Sequence, residues 1–202
     1  MSHFKVTVLL RGTENIAERV KESLAPFQEN NMGDCPRQYL KFFDETETII
    51  KEYETGSGYV EPKVAHKQAY ATIEEFAEAW HGREKTADGK FGYWENPNKK
   101  WDWWTIGGRW DRDLIGERTR GSNGPHGGTP DTGGNVGLLG DAREDYTSFA
   151  WLTPEGEWIE RGEMGWWATV VDEKDESAWK ESCKQIIEKY RDCTAVVVDC
   201  HI

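Results

Sequence analysis

Thr194-Ala195-Val196-Val197-Val198-Asp199-Cys200-His201-Ile202 is rich in β-branched residues and reads as a strand. Near the other end of the chain, Phe4-Lys5-Val6-Thr7-Val8-Leu9-Leu10 reads the same way. Side chains alternate between the two faces of a strand, so the runs can be laid antiparallel and their faces compared. With His3 opposite His201, Phe4, Val6 and Val8 join Cys200, Val198 and Val196 on one apolar face. His3, Lys5 and Thr7 then join His201, Asp199 and Val197 on the other. A slip of one residue mixes the two sets, which is how burial specifies a register. This register sets Lys5 across from Asp199 as an opposite-charge pair and brings two imidazoles together at the edge of the sheet.

Each of these strands has an amphipathic helix as its neighbour in the chain. Ile16, Ala17, Val20 and Leu24 form an apolar stripe after the first, with Thr13 as the expected cap and Pro26 as the stop. Trp179, Cys183, Ile186, Ile187 and Tyr190 form another before the last, behind Asp172 or Asp175. Between them, Thr72 with Glu75 makes a capping box for a helix that ends at Gly82. The stretch 37–43 is strand-like, 46–53 helical, and 147–161 a hairpin turning at Pro154-Glu155-Gly156. Glycine-rich Gly121–Gly140 reads as a long mobile loop, neither helix nor strand. The expected architecture is a single α+β domain over residues 1–202. Its sheet is mostly antiparallel with helices on the apolar face, and a ferredoxin-like arrangement is the favoured version.

Trp94-Glu-Asn-Pro-Asn-Lys-Lys-Trp-Asp-Trp-Trp-Thr-Ile-Gly-Gly-Arg-Trp110 holds five of the eleven tryptophans. Indole faces stack on planar rings, and Lys or Arg beside them binds anions, so a flat anionic ligand suits the segment. Lys100, Trp101, Trp103, Trp104, Arg109 and Trp110 are the candidate contacts, with Trp166 and Trp167 downstream. Trp is also among the most buried side chains, so the same residues can equally be core.

A net charge of −12 argues against general duplex nucleic acid as partner, because that binding rests on a broad Lys/Arg surface. Residues 96–110 run the other way, with Lys99, Lys100 and Arg109 against Asp102 alone. Cys35, Cys183, Cys193 and Cys200 follow no C-x-x-C spacing, and no apolar run reaches the ~20 residues of a membrane span. Free thiols and a cytoplasmic location are expected.

Two histidines near a carboxylate can act as acid and base in a transfer reaction, so His3 and His201, supported by Asp199, are the candidate catalytic residues. Terminal histidines can also be no more than solvated strand ends. Metal ligation fits less well, since Cys200 and His201 point to opposite faces. Gly107-Gly108-Arg109 lacks the Lys-Ser/Thr ending of a phosphate-binding P-loop, no nucleophile elbow is present, and no motif identifies a cofactor.

Three blocks carry a resemblance: Met1-Ser2-His3-Phe4, the central Asn96-Pro97-Asn98-Lys99-Lys100-Trp101-Asp102-Trp103 with Ile106-Gly107-Gly108-Arg109-Trp110, and Asp199-Cys200-His201-Ile202. In these the chain resembles a group of small phage and prophage proteins. The resemblance implies a phage-derived protein of the host cytoplasm, in a context where antagonism of nucleotide-signalled host defence is common. The function expected on this basis is binding, and possible hydrolysis, of a small anionic ring ligand such as a cyclic or linear nucleotide. The alternative is an acidic inhibitor that docks on a host defence protein without chemistry, for which exposed tryptophans would serve as anchors.

Overall fold

The computed structural model describes residues 2–57, 65–115, 134–164 and 169–202. In chain order its elements are β1 (His3–Leu10), α1 (Ile16–Leu24), β2 (Lys41–Asp44), α2 (Thr46–Thr55), α3 (Ile73–His81), β3 (Glu84–Lys85), β4 (Phe91–Glu95) and β5 (Trp103–Ile106). There follow β6 (Val136–Leu138), β7 (Ala150–Leu152), β8 (Trp158–Glu160), β9 (Glu163–Met164), β10 (Val170–Val171), α4 (Glu176–Lys189) and β11 (Thr194–His201). The chain, read from sequence as one domain, divides into two compact units, Met1–Met32 with Asn98–Ile202 and Gly33–Pro97. No described helix is long and apolar enough to cross a membrane.

The larger unit is built on β1 and β11, which pair antiparallel from His3↔His201 to Leu10↔Thr194, the register the burial pattern specifies. The α+β class and the mostly antiparallel sheet are as expected, in the order β5-β11-β1-β7-β8. Inside it, β7 lies parallel to β1, where an all-antiparallel ferredoxin-like order has no parallel neighbours. The outer edge of β11 is shared by two short strands, β5 along Val198–His201 and β6 along Thr194–Val196. Val197 stands between them, its C=O accepting from Gly107 N–H (2.9 Å) and its N–H donating to the Asn135 carbonyl (2.8 Å). The stretch 136–138, expected to be part of a structureless loop, is therefore a strand, since the open edge of β11 offers it backbone partners. The loop expectation for 121–133 lies outside the described residues.

One face of the sheet packs Phe4, Val6, Val8, Val196, Val198 and Cys200 under Val20 and Leu24 of α1. Helix α4 packs on the other face, whereas the sequence pattern places both helices on one. The reason lies in the strands: Leu9, Ala195 and Val197 give that second face an apolar half, which Trp179, Cys183 and Ile186 cover. Asp175 caps α4, its Oδ1 accepting from the N–H groups of Ser177 and Ala178. At α1 the expected cap is displaced, because the residue before the helix is Asn15, in left-handed conformation and with no side-chain cap. The second face is thus graded, apolar toward Leu9 and polar toward His3.

The smaller unit pairs β2-β4-β3 and packs Ile49, Phe76, Ala77 and Phe91 between sheet and helices. Thr72 Oγ1 accepts from Glu75 N–H (3.2 Å), the contact the capping box predicts. Asp44 Oδ1 accepts from Thr46 N–H, and hydrogen bonds from Thr46 and then Lys90 hold its carboxyl down at about 2. A depressed carboxyl contributes stability that is complete above its unfolded value, about 3.8, and is lost as pH falls through about 2. Urea unfolding of this unit between about pH 4 and pH 2 should therefore lose a small increment that Asp44→Asn abolishes. An Asp44 carboxyl that titrates near 4 by NMR would contradict this.

Candidate functional site

The polar half of the graded face is where sequence and fold meet. Strand alternation in β1 directs His3 and Lys5 to it, and the β11 register adds Asp199 and His201. Strand β5 pairs His201 with Trp103 and Asp199 with Thr105, so Trp103 and Thr105 share the same face. His3 and His201 have ring centroids 5.1 Å apart at 74°, and Trp103 meets His3 edge-on at 6.2 Å.

Each imidazole is fixed by its own carboxylate. His3 Nδ1 is 2.9 Å from Asp199 Oδ1, and His201 Nδ1 is 2.6 Å from Asp102 Oδ1. An ionised carboxylate can only accept, so the proton resides on each Nδ1 and Nε2 is left as the atom that exchanges protons. His201 Nε2 is buried and has no hydrogen-bond partner among the described residues. Asp199, 2% exposed, also accepts at Oδ2 from the backbone N–H of Arg109 (2.9 Å). Asp102 is tied back to the strand end by its own N–H, which donates to the His201 carbonyl (2.9 Å).

Gly107 and Gly108 make the Arg109 contact possible. Both have positive φ, and a Cβ on Gly108 would lie 2.4 Å from Asp199 Oδ2. The Gly-Gly pair thus lets the backbone close over a buried carboxylate, a role distinct from phosphate binding. Arg109 itself is exposed, and its guanidinium makes no hydrogen bond or ion pair among the described residues.

Lys5 is opposite Asp199 in register, yet its Nζ donates to Asp113 Oδ2. Arg143 Nη2 approaches the other oxygen of Asp113 at 3.1 Å. The Lys5 ammonium also lies 4.5 Å from the Tyr146 ring centroid, and Tyr146 Oη is 2.6 Å from Thr7 Oγ1. Burial pushes the Tyr146 hydroxyl well up, which keeps it neutral. This cluster fixes residues 110–115 on the sheet beside the histidines.

The tryptophan segment is mostly core. Trp101 is buried and donates Nε1–H to the Leu24 carbonyl (3.0 Å), and Trp104 packs on the α1 face. Trp110 packs on the cluster around α4. Among the described candidate tryptophans, only Trp103 is on the histidine face and exposed, at 42%. Lys100 Nζ donates to Glu160 Oε1 (2.7 Å), and the Glu160 register with Ala150 and Val6 puts that pair on the α1 side. Lys100 is therefore separated from Arg109 by the sheet. Trp166 and Trp167 lie outside the described residues.

Cys200 is buried on the α1 face, and burial drives its thiol far up, so it is no nucleophile for this site. His3, His201, Asp199, Trp103 and Arg109 come together as the sequence pairs them. Asp102 and Asp113 are the additions, and sequence offers for Asp102 only its place one residue before Trp103. The chain matches no protein-family model, no curated protein and no solved structure.

Proposed function

We propose that the protein binds a small anionic ring compound of the nucleotide class on this polar face and acts on it by proton transfer between His3 and His201. The observation that carries the reading is the pair of imidazoles 5.1 Å apart, each with Nδ1 anchored to a separate carboxylate. Solvated strand-end histidines have no need of two dedicated carboxylates, whereas an acid–base pair needs fixed tautomers and fixed rings. Trp103 offers an exposed indole for the base, and Arg109 offers a cation not committed elsewhere among the described residues. The resemblance to phage proteins makes the signalling nucleotides of host defence the first compounds to assay, in the host cytoplasm.

The test is a panel of linear and cyclic nucleotides, scored for a rise in melting temperature and for product by phosphorus NMR. A shift with product supports the reading. A shift without product makes the protein a sequestering binder, and neither result leaves the acidic inhibitor of a host protein as the better account. For any nucleotide that binds, Arg109→Lys should weaken affinity by roughly tenfold, because a point charge replaces one prong of a two-pronged contact worth about 1.5 kcal/mol. That variant keeps the backbone N–H that Asp199 uses, so the histidines stay in place. Unchanged affinity, measured by calorimetry, would remove Arg109 from the site.

A further inference from the structure

Resting on the acid–base reading above, we infer that the substrate carries its own nucleophile: it is a phosphodiester with a free hydroxyl on the neighbouring carbon, as in a ribonucleotide linkage. The site's carboxylates are already engaged. Asp199 accepts from His3 and from the Arg109 N–H, Asp102 accepts from His201 and from Asn31 Nδ2 (3.3 Å), and Asp113 holds Lys5 and Arg143. Cys200 faces the other side of the sheet, and Thr7 is bonded to Tyr146. What the two histidines supply is one proton acceptor and one proton donor, each contributing about 10²–10⁴-fold. A hydroxyl held beside the phosphorus by covalent structure contributes an effective concentration of about 10⁵–10⁸ M, far more than either histidine. A substrate that brings this advantage makes sufficient a site that holds, among the described residues, two proton relays and one uncommitted cation.

The step balances without a co-reactant. One neutral imidazole takes the hydroxyl proton at Nε2 as that oxygen forms its bond to phosphorus. The bond from phosphorus to the departing oxygen breaks with its electron pair, and the second, protonated imidazole gives that oxygen its Nε2 proton. The products are a five-membered cyclic phosphate and an alcohol, the net charge is unchanged, and proton exchange with water resets the histidines.

The full chain is incubated with ribose-containing dinucleoside monophosphates and cyclic dinucleotides of all base combinations, and with the same compounds carrying hydrogen or methoxy in place of the neighbouring hydroxyl. Phosphorus NMR at early times identifies the product, and thermal shift reports binding. The expected result is a cyclic phosphate from at least one ribose compound, with its deoxy and methoxy analogues bound but uncut. A linear monoester formed directly, or cleavage of the deoxy analogue at a similar rate, would mean that water attacks. The acid–base reading would then survive and this inference would fall. If no ribose, deoxy or methoxy diester is cut, both fall.

Discussion

Asp113→Ala is expected to lower the unfolding free energy by about 3–5 kcal/mol, the cost of leaving a buried charge without its partner. The Asp113 side chain is 2% exposed and that of Lys5 10%, and Arg143 shares the same carboxylate. Removing the carboxylate leaves an ammonium between the sheet and Tyr146 with its main counter-charge gone. A double replacement, Lys5→Met with Asp113→Leu, removes both charges at similar volume and should recover most of the loss. Urea denaturation of the two variants gives the comparison. A loss below about 1 kcal/mol for Asp113→Ala would mean that Asp199, across the ladder, takes over the ammonium.

The second large effect concerns turnover. For any nucleotide that the protein processes, His3→Ala and His201→Ala should each reduce kcat by about 10²–10⁴-fold while changing affinity little. Both residues end their strands, so neither substitution opens the core. Asp102→Asn is a sharper test, because an amide can present its N–H to His201 and favour the wrong tautomer without altering shape. Asp102→Asn should lower kcat at unchanged KM, and if it turns over substrate at the parent rate, His201 has no part in proton transfer.

The central ladder was legible because two strands carry the same alternation and only one register keeps the apolar residues together. The Thr72 and Asp175 caps were legible for a local reason, since the side chain that caps lies within three residues of the N–H it accepts from. Partners set by non-local geometry were not. Lys5 was matched to Asp199 by register, but Asp113, 108 residues away, reaches its ammonium. Composition could not sort the tryptophans either, because Trp103 and Trp104 differ only in which side of an edge strand they occupy. Nor could it place Lys100, whose partner Glu160 stands at the far edge of the sheet. The division at Met32–Gly33 and Pro97–Asn98 escaped for a related reason, as the larger unit is discontinuous in the chain.

The two hydrogen bonds of Val197 pinch residues 107 and 135 to a single point on β11. Everything between them is a closed ring as far as the sheet is concerned, further clasped by the Asn135 side chain, which holds Asp111 Oδ1 and the Arg112 N–H. Closing such a ring costs entropy that rises only with the logarithm of its length, about 0.6 kcal/mol for each doubling. Residues 107–115 and 134–138 are accordingly fastened to β11 on either side of Val197, and with them the backbone that closes over Asp199 and keeps the histidines at one spacing.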